Sequence, residues 1–163
     1  MIVADSSTLI LLAKTELLDW LLENLKEKIT IPRSVFVEST IKNEAFDAIL
    51  IKNRVKENKI KITDVKQKYL CDKLLDDFNF GKGEAEAISL CLLNKAILLV
   101  DDKKAIKCCK VFNLKFTTAP NILVTFYKKK IVDKEMANLL LTKLEKYGRY
   151  SSDIIQKIKG ELK

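Results

Sequence analysis

No histidine occurs anywhere in the chain, and every mechanism that needs an imidazole goes with it: a Ser-His-Asp triad, a histidine general base, a Cys/His zinc centre. The four cysteines, Cys71, Cys91, Cys108 and Cys109, show no CxxC spacing, and read as small buried apolar groups in a reducing compartment. Glycine and proline are scarce, at four and two residues. No Pro/Gly-rich linker, internal repeat or low-complexity tract divides the chain, so one domain over residues 1–163 is expected, with 48% hydrophobic residues to fill its core. No apolar run outlasts the stretch Leu9 to Ala13, far short of the roughly 20 residues a membrane helix needs. Asp5 interrupts the N-terminus and no basic segment precedes the apolar residues, unlike a secretory signal. The expectation is a cytoplasmic protein without membrane association, in which any catalysis rests on carboxylates, hydroxyls, lysines or bound metal.

Arginine is also rare. Arg33, Arg54 and Arg149 are the only ones among 30 basic residues, which face 22 acids for a formal net charge of +8. Such an excess favours a polyanionic partner, and ammonium point charges suit sequence-indifferent attraction to phosphates better than bidentate reading of bases. A lysine-rich composition equally fits a protein whose charges serve only solubility or thermal habit.

What the chain does have is concentrated in Phe80 to Asp102, FGKGEAEAISLCLLNKAILLVDD. Gly81 and Gly83 flank Lys82 in a turn, and a run of good helix formers starts at Glu84. A carboxylate there sits against the positive end of the helix dipole. Ala87, Ile88, Cys91 and Leu92 follow Glu84 at helical steps, so Glu84 heads an apolar stripe, whereas Glu86 leads to Ser89, Leu90, Leu93 and Asn94 and reads as solvated. Ala96 to Val100 is then an apolar strand that stops at Asp101 and Asp102.

Other strand ends repeat the pattern. Met1 to Ala4 is a short strand ending in Asp5, with Ser6, Ser7 and Thr8 as cap-type residues behind it. Asp5 is equally suited to a helix N-cap. Lys14 to Lys26 carries Leu17, Leu18, Leu21, Leu22 and Leu25 at helical spacing, a stripe for core or interface. Lys28 to Ile31 is a strand, and Pro32 fits the first turn of a helix that places Val35, Glu38 and Ile41 on one face. A surface bridge from Glu38 to Lys42 is the ordinary alternative. Ala45 to Glu57 is helical, Lys59 to Thr63 alternates like an edge strand, and Asp64 to Asn79 is a polar helical connection. A basic helix, Lys103 to Val111, precedes a short strand at Leu114 to Thr117, after which Thr117, Thr118 and Asn121 surround Pro120. Lys134 to Tyr147 and the tail from Ser151 read as two last helices, so that residues from about 131 to 163 pack on the domain or on a partner.

These βα units predict a three-layer α/β/α domain around a mainly parallel sheet. Open sheets of this kind hold their sites at the carboxyl ends of the strands. Asp5, Glu84 and the Asp101-Asp102 pair fall there, with Glu38 early in the helix after the second strand. Four acids without a histidine suit hard Mg²⁺ or Mn²⁺.

The residues resemble the PIN domain nucleases. IVADSS with Asp5 and Ser7, IPRSVFVES with Glu38, GKGEAEAI with Glu84 and LLVDD with Asp102 follow that family's order, and eighteen positions separate Glu84 from Asp102. GEAEAI and LLVDDKKA look most like a prokaryotic branch found beside small partner proteins. The resemblance implies a metal-dependent endoribonuclease in which Asp5, Glu38, Glu84 and Asp102 hold Mg²⁺ or Mn²⁺ and Asp101 is an alternative ligand. Ser7 and Thr118 orient ligands or water, and Lys82, Lys103 and Lys104 hold RNA. It also implies a toxin restrained by a small antitoxin, and a homodimer if a leucine face is exposed. Two departures stand out: Glu84 replaces the usual Asp, and Ile106 stands where many members carry arginine. A catalytically silent module that binds RNA or protein is the alternative; a Toprim-like or phosphatase domain is disfavoured because no DxD motif is present.

Overall fold

A computed structural model describes residues 1–163. Five strands, β1 (Ile2–Ala4), β2 (Ile29–Pro32), β3 (Ile60–Thr63), β4 (Ile97–Leu99) and β5 (Phe116–Thr117), form one sheet in the order β3-β2-β1-β4-β5. Every pairing is parallel. Ten helices flank it: α1 (Ser6–Lys14), α2 (Leu17–Asn24), α3 (Arg33–Thr40), α4 (Phe46–Lys56), α5 (Lys68–Phe78), α6 (Lys82–Asn94), α7 (Lys103–Val111), α8 (Ala119–Lys128), α9 (Lys134–Tyr147) and α10 (Ser152–Glu161). The fold is a three-layer α/β/α sandwich. No helix is long and apolar enough to cross a membrane.

The sheet's composition explains its order. Val3, Ala4, Ile29, Ile31, Leu98 and Leu99 are buried, as strands covered on both faces require. β3, at the edge, keeps only Ile60 buried. Together with the helices these residues build a hydrophobic cluster of 41 buried side chains. All four cysteines are buried and free of disulfides, Cys91, Cys108 and Cys109 within that cluster, and burial pushes the Cys91 and Cys109 thiols up to about 12.

Three local readings change. The Leu17 stripe is not one helix from Lys14, because Thr15 closes α1 with its hydroxyl on the Leu11 and Leu12 carbonyls and Glu16 turns left-handed at φ 63°. Leu17, Leu18 and Leu21 are buried, with the half-buried Leu22 and Leu25 packed against the same core. Ile41 does not share the buried face of α3: it follows the helix as its cap and is 77% exposed. Pro32 ends β2 and caps α3 instead of lying inside its first turn.

The chain order reverses at β1. The crossover from β1 leads to β2 on one side, while the crossover from β3, through α5 and α6, returns to β4 on the other. Neighbouring loops then leave in opposite directions and open a crevice beyond the carboxyl ends of β1 and β4.

Candidate active site

Ala4 pairs with Leu99, so Asp5 leaves β1 almost level with Asp101 leaving β4. Asp5 is 1% exposed. Its two carboxylate oxygens do different work. Oδ1 caps α1, accepting the Thr8 N–H at 2.7 Å and the Ser7 hydroxyl at 3.3 Å, whereas Oδ2 is buried without any hydrogen-bond partner. The capping role thus occupies only one of the two oxygens. Burial, helped by the nearby Asp101 and Glu84 charges and opposed by the Thr8 bonds, pushes the Asp5 carboxyl up to about 7.

Asp101 is the member of the acidic pair that faces Asp5. Its N–H donates to the Thr8 hydroxyl at 3.0 Å, and its carboxylate accepts the Ala119 N–H at 3.2 Å and the Tyr150 hydroxyl at 2.6 Å. Burial raises its pKa against those bonds. Asp102 is more exposed and caps α7, accepting from Lys104 and Ala105 N–H at 2.8 and 2.9 Å.

Glu38 and Glu84 approach from α3 and α6. The Glu38 carboxylate accepts the Ser6 hydroxyl at 2.7 Å and the Gly83 N–H at 2.9 Å, not a bridge from Lys42. Gly83 is what admits it: a Cβ there would lie 2.3 Å from Glu38 Oε2. α6 begins two residues before Glu84, whose carboxylate folds back to accept the Gly81 N–H at 2.9 Å. The stripe behind it, Ala87, Ile88 and Cys91, is buried. Glu86 is not simply solvated, since it accepts the Ser34 hydroxyl.

The family model DUF3368, described as a PIN domain, matches residues 1–163. The chain belongs to the PIN domain family. No curated protein matches it. PIN domains are nucleases as a class and typically use divalent metals, and the fold described above is of that nuclease type.

Whether this PIN domain's residues suit such an ion is answered by the site itself. The donors are all carboxylate oxygens, as Mg²⁺ or Mn²⁺ prefers, and Asp5 Oδ2 is a buried acceptor without a protein donor, the kind of atom a cation would complete. No three acidic side chains converge on one point; Glu38 and Glu84 accept backbone N–H groups. The chemistry of the donor set suits the ion.

The remaining predicted residues scatter around this centre. Thr118 caps α8, accepting from Asn121 N–H at 3.3 Å. Lys104 is tied to the α5–α6 turn, donating to the Asn79 carbonyl at 2.6 Å and lying 5.0 Å from the Phe80 ring. Lys82 is exposed in the first turn of α6. Lys103 and Ile106 line a cavity beside Asp101. The sequence offered no sign of Tyr150, which arrives from 49 positions away, nor of Gly83 as a seat for Glu38. Ser6 and Thr8 were visible only as cap-type residues.

Proposed function

We propose that the protein is a metal-dependent endoribonuclease that cleaves RNA phosphodiesters at this acidic crevice. The observation that carries the reading is the unpartnered, buried Oδ2 of Asp5 beside Asp101 at the sheet's switch point. Asp5 and Asp101 would hold Mg²⁺ or Mn²⁺, with Glu38 and Glu84 completing its surroundings and Asp102 at the entrance. Bound there, such an ion supplies charge neutralisation at phosphorus and a water made acidic enough to attack.

The protein's own groups do the rest. Thr8 fixes the geometry between the two central acids, bonding the Asp5 carboxylate through its N–H and receiving the Asp101 N–H on its hydroxyl. Ser7 holds Asp5 Oδ1, leaving Oδ2 free for the ion. Lys103, at the head of α7, attracts the RNA backbone. The reading extends to a toxin restrained by a small antitoxin protein, on the likeness of GEAEAI and LLVDDKKA to that branch.

A second reading, a catalytically silent module that binds RNA or protein, draws on Glu84, whose carboxylate is engaged with the Gly81 N–H. Incubating a mixed RNA pool with Mg²⁺, Mn²⁺ or EDTA separates the two. Internal cuts that need metal and vanish in Asp5→Asn and Glu84→Gln are expected. Well-folded native protein that cuts nothing with either ion would transfer the assignment to the silent module.

A further inference from the structure

Three elements outside β4 fasten Asp101. Thr8 of α1 receives its N–H at 3.0 Å. Ala119, the first residue of α8, directs its own N–H at both carboxylate oxygens, each at 3.2 Å. Tyr150, from the connection between α9 and α10, donates its hydroxyl to Oδ1 at 2.6 Å. That separation is typical of a charge-assisted O–H···O⁻ bond, the stronger kind.

The two central acids are pinned alike. On Asp5, Oδ1 takes the Thr8 N–H and the Ser7 hydroxyl, and Oδ2 takes nothing. On Asp101, Oδ1 takes the Tyr150 hydroxyl, while Oδ2 meets only the Ala119 N–H that it shares with Oδ1. Each carboxylate is therefore fixed through one oxygen and leaves the other wholly or largely unengaged. Ligands of a metal ion are oriented by outer partners in this way.

The seat of Tyr150 is built by the C-terminal part of the chain. Its half-buried ring folds over Gly148, where an added Cβ would lie 2.2 Å from the ring and 2.7 Å from the Leu144 carbonyl oxygen. Gly148 has φ −84°, so what the glycine supplies is room and not backbone freedom. α10 follows and is anchored: Ile155, Ile158 and Leu162 are buried, Lys128 of α8 pairs with Glu161, and Lys159 pairs with Glu145 of α9 at 3.8 Å. One carboxylate thus receives a donor from the start of α8 and another from a segment that α10 holds against α8.

We propose that Tyr150 is a positioning residue: through Oδ1 it fixes the Asp101 carboxylate whose Oδ2 would hold Mg²⁺ or Mn²⁺, which makes the α9–α10 connection part of the metal centre. The inference rests on the metal-dependent reading of the site. Two other roles for the hydroxyl have different consequences: it could merely satisfy a buried acid, or it could compete with the ion for Asp101.

The test is Mn²⁺ binding by the full chain without RNA, read from the EPR signal of free Mn²⁺, together with melting temperatures in EDTA. Tyr150→Phe removes one hydroxyl and keeps the ring over Gly148. Tyr147→Phe is the control, since Tyr147 lines the same cavity beside Asp101 and has no bond to it. Tyr150→Phe is expected to weaken Mn²⁺ binding about 10- to 100-fold, the scale of a lost outer partner, and Tyr147→Phe to bind as the native protein does. A lower melting temperature in EDTA with unchanged Mn²⁺ affinity would reduce Tyr150 to satisfying a buried acid, and tighter Mn²⁺ binding would make it a competitor of the ion; either overturns the proposal. Native protein that binds no Mn²⁺ would overturn it together with the metal-dependent reading. Tyr150-dependent Mn²⁺ binding by a protein that cleaves no RNA would uphold it and overturn the nuclease reading alone.

Discussion

At the scale of single residues the site's tension sits on Asp5. A buried carboxylate with one capped and one orphaned oxygen is costly to ionise, which is why its pKa rises from 3.8 to about 7. Below about pH 4 the group is protonated in folded and unfolded chains alike and costs nothing. Between that point and about 7 only the unfolded chain ionises freely, so metal-free stability on this account falls as pH rises and levels off above 7. Asp5→Asn keeps an N-cap oxygen for α1 and removes the titration. In EDTA the variant should therefore match the native protein near pH 4 and exceed it at pH 8 by on the order of 2–4 kcal/mol, given about 1.4 kcal/mol per pKa unit. Urea unfolding at several pH values measures this. Mn²⁺ should then stabilise the native protein and leave the variant unmoved; parallel pH profiles for the two would show that Asp5 is not the strained group.

At the scale of elements, the start of α6 is the part of the site most open to a clean perturbation. Gly81 and Gly83 stand two residues apart and look interchangeable in the sequence, but an added Cβ at Gly81 meets only Glu84 Oε2 at an ordinary 3.5 Å, while at Gly83 it strikes the Glu38 carboxylate. Gly83→Ala should leave melting temperature nearly unchanged, since a flexible carboxylate can move aside and alanine favours the helix, yet lower kcat/KM about 10- to 100-fold, as loss of ligand positioning does. Gly81→Ala should retain near-native activity, and equal loss in both variants would mean that Glu38 placement is not what matters. The contrast also marks how far the sequence could be read. Short apolar runs ending in Asp5 and in Asp101-Asp102 announced the strands and the acids at their ends, because β1 and β4, covered on both faces, are apolar throughout and turn acidic only where they stop. Helical spacing identified the buried face behind Glu84. It could not show that the Glu84 carboxylate folds back on its own helix start, that Asp101 rather than Asp102 turns toward Asp5, or that Tyr150 reaches Asp101, since these depend on rotamers and on contacts between distant segments. The break at Glu16 was hidden for a related reason: a left-handed residue between two leucine-rich helices leaves the hydrophobic period almost undisturbed.

At the scale of the whole molecule, the excess of eight positive charges has two competing explanations, general solubility or attraction to a polyanion, and ionic strength distinguishes them. If the cations beside the acids replace counterions on a single strand, each phosphate neutralised contributes about −0.7 to the slope of log affinity against log salt. Lys82, Lys103 and Lys104 together then account for a slope near −2, and a rise from about 50 to 200 mM salt should weaken binding roughly 15-fold. The measurement is made on Asp5→Asn in EDTA, so that cleavage does not distort the titration. The slope should be similar for different homopolymers, because point charges on lysines meet phosphates and not base edges. Lys103→Glu should make it shallower by about one such step or more. A slope near zero, or one that Lys103→Glu leaves unchanged, would place the RNA elsewhere on the surface, since charges merely serving solubility have no particular residue whose reversal should matter more than another's.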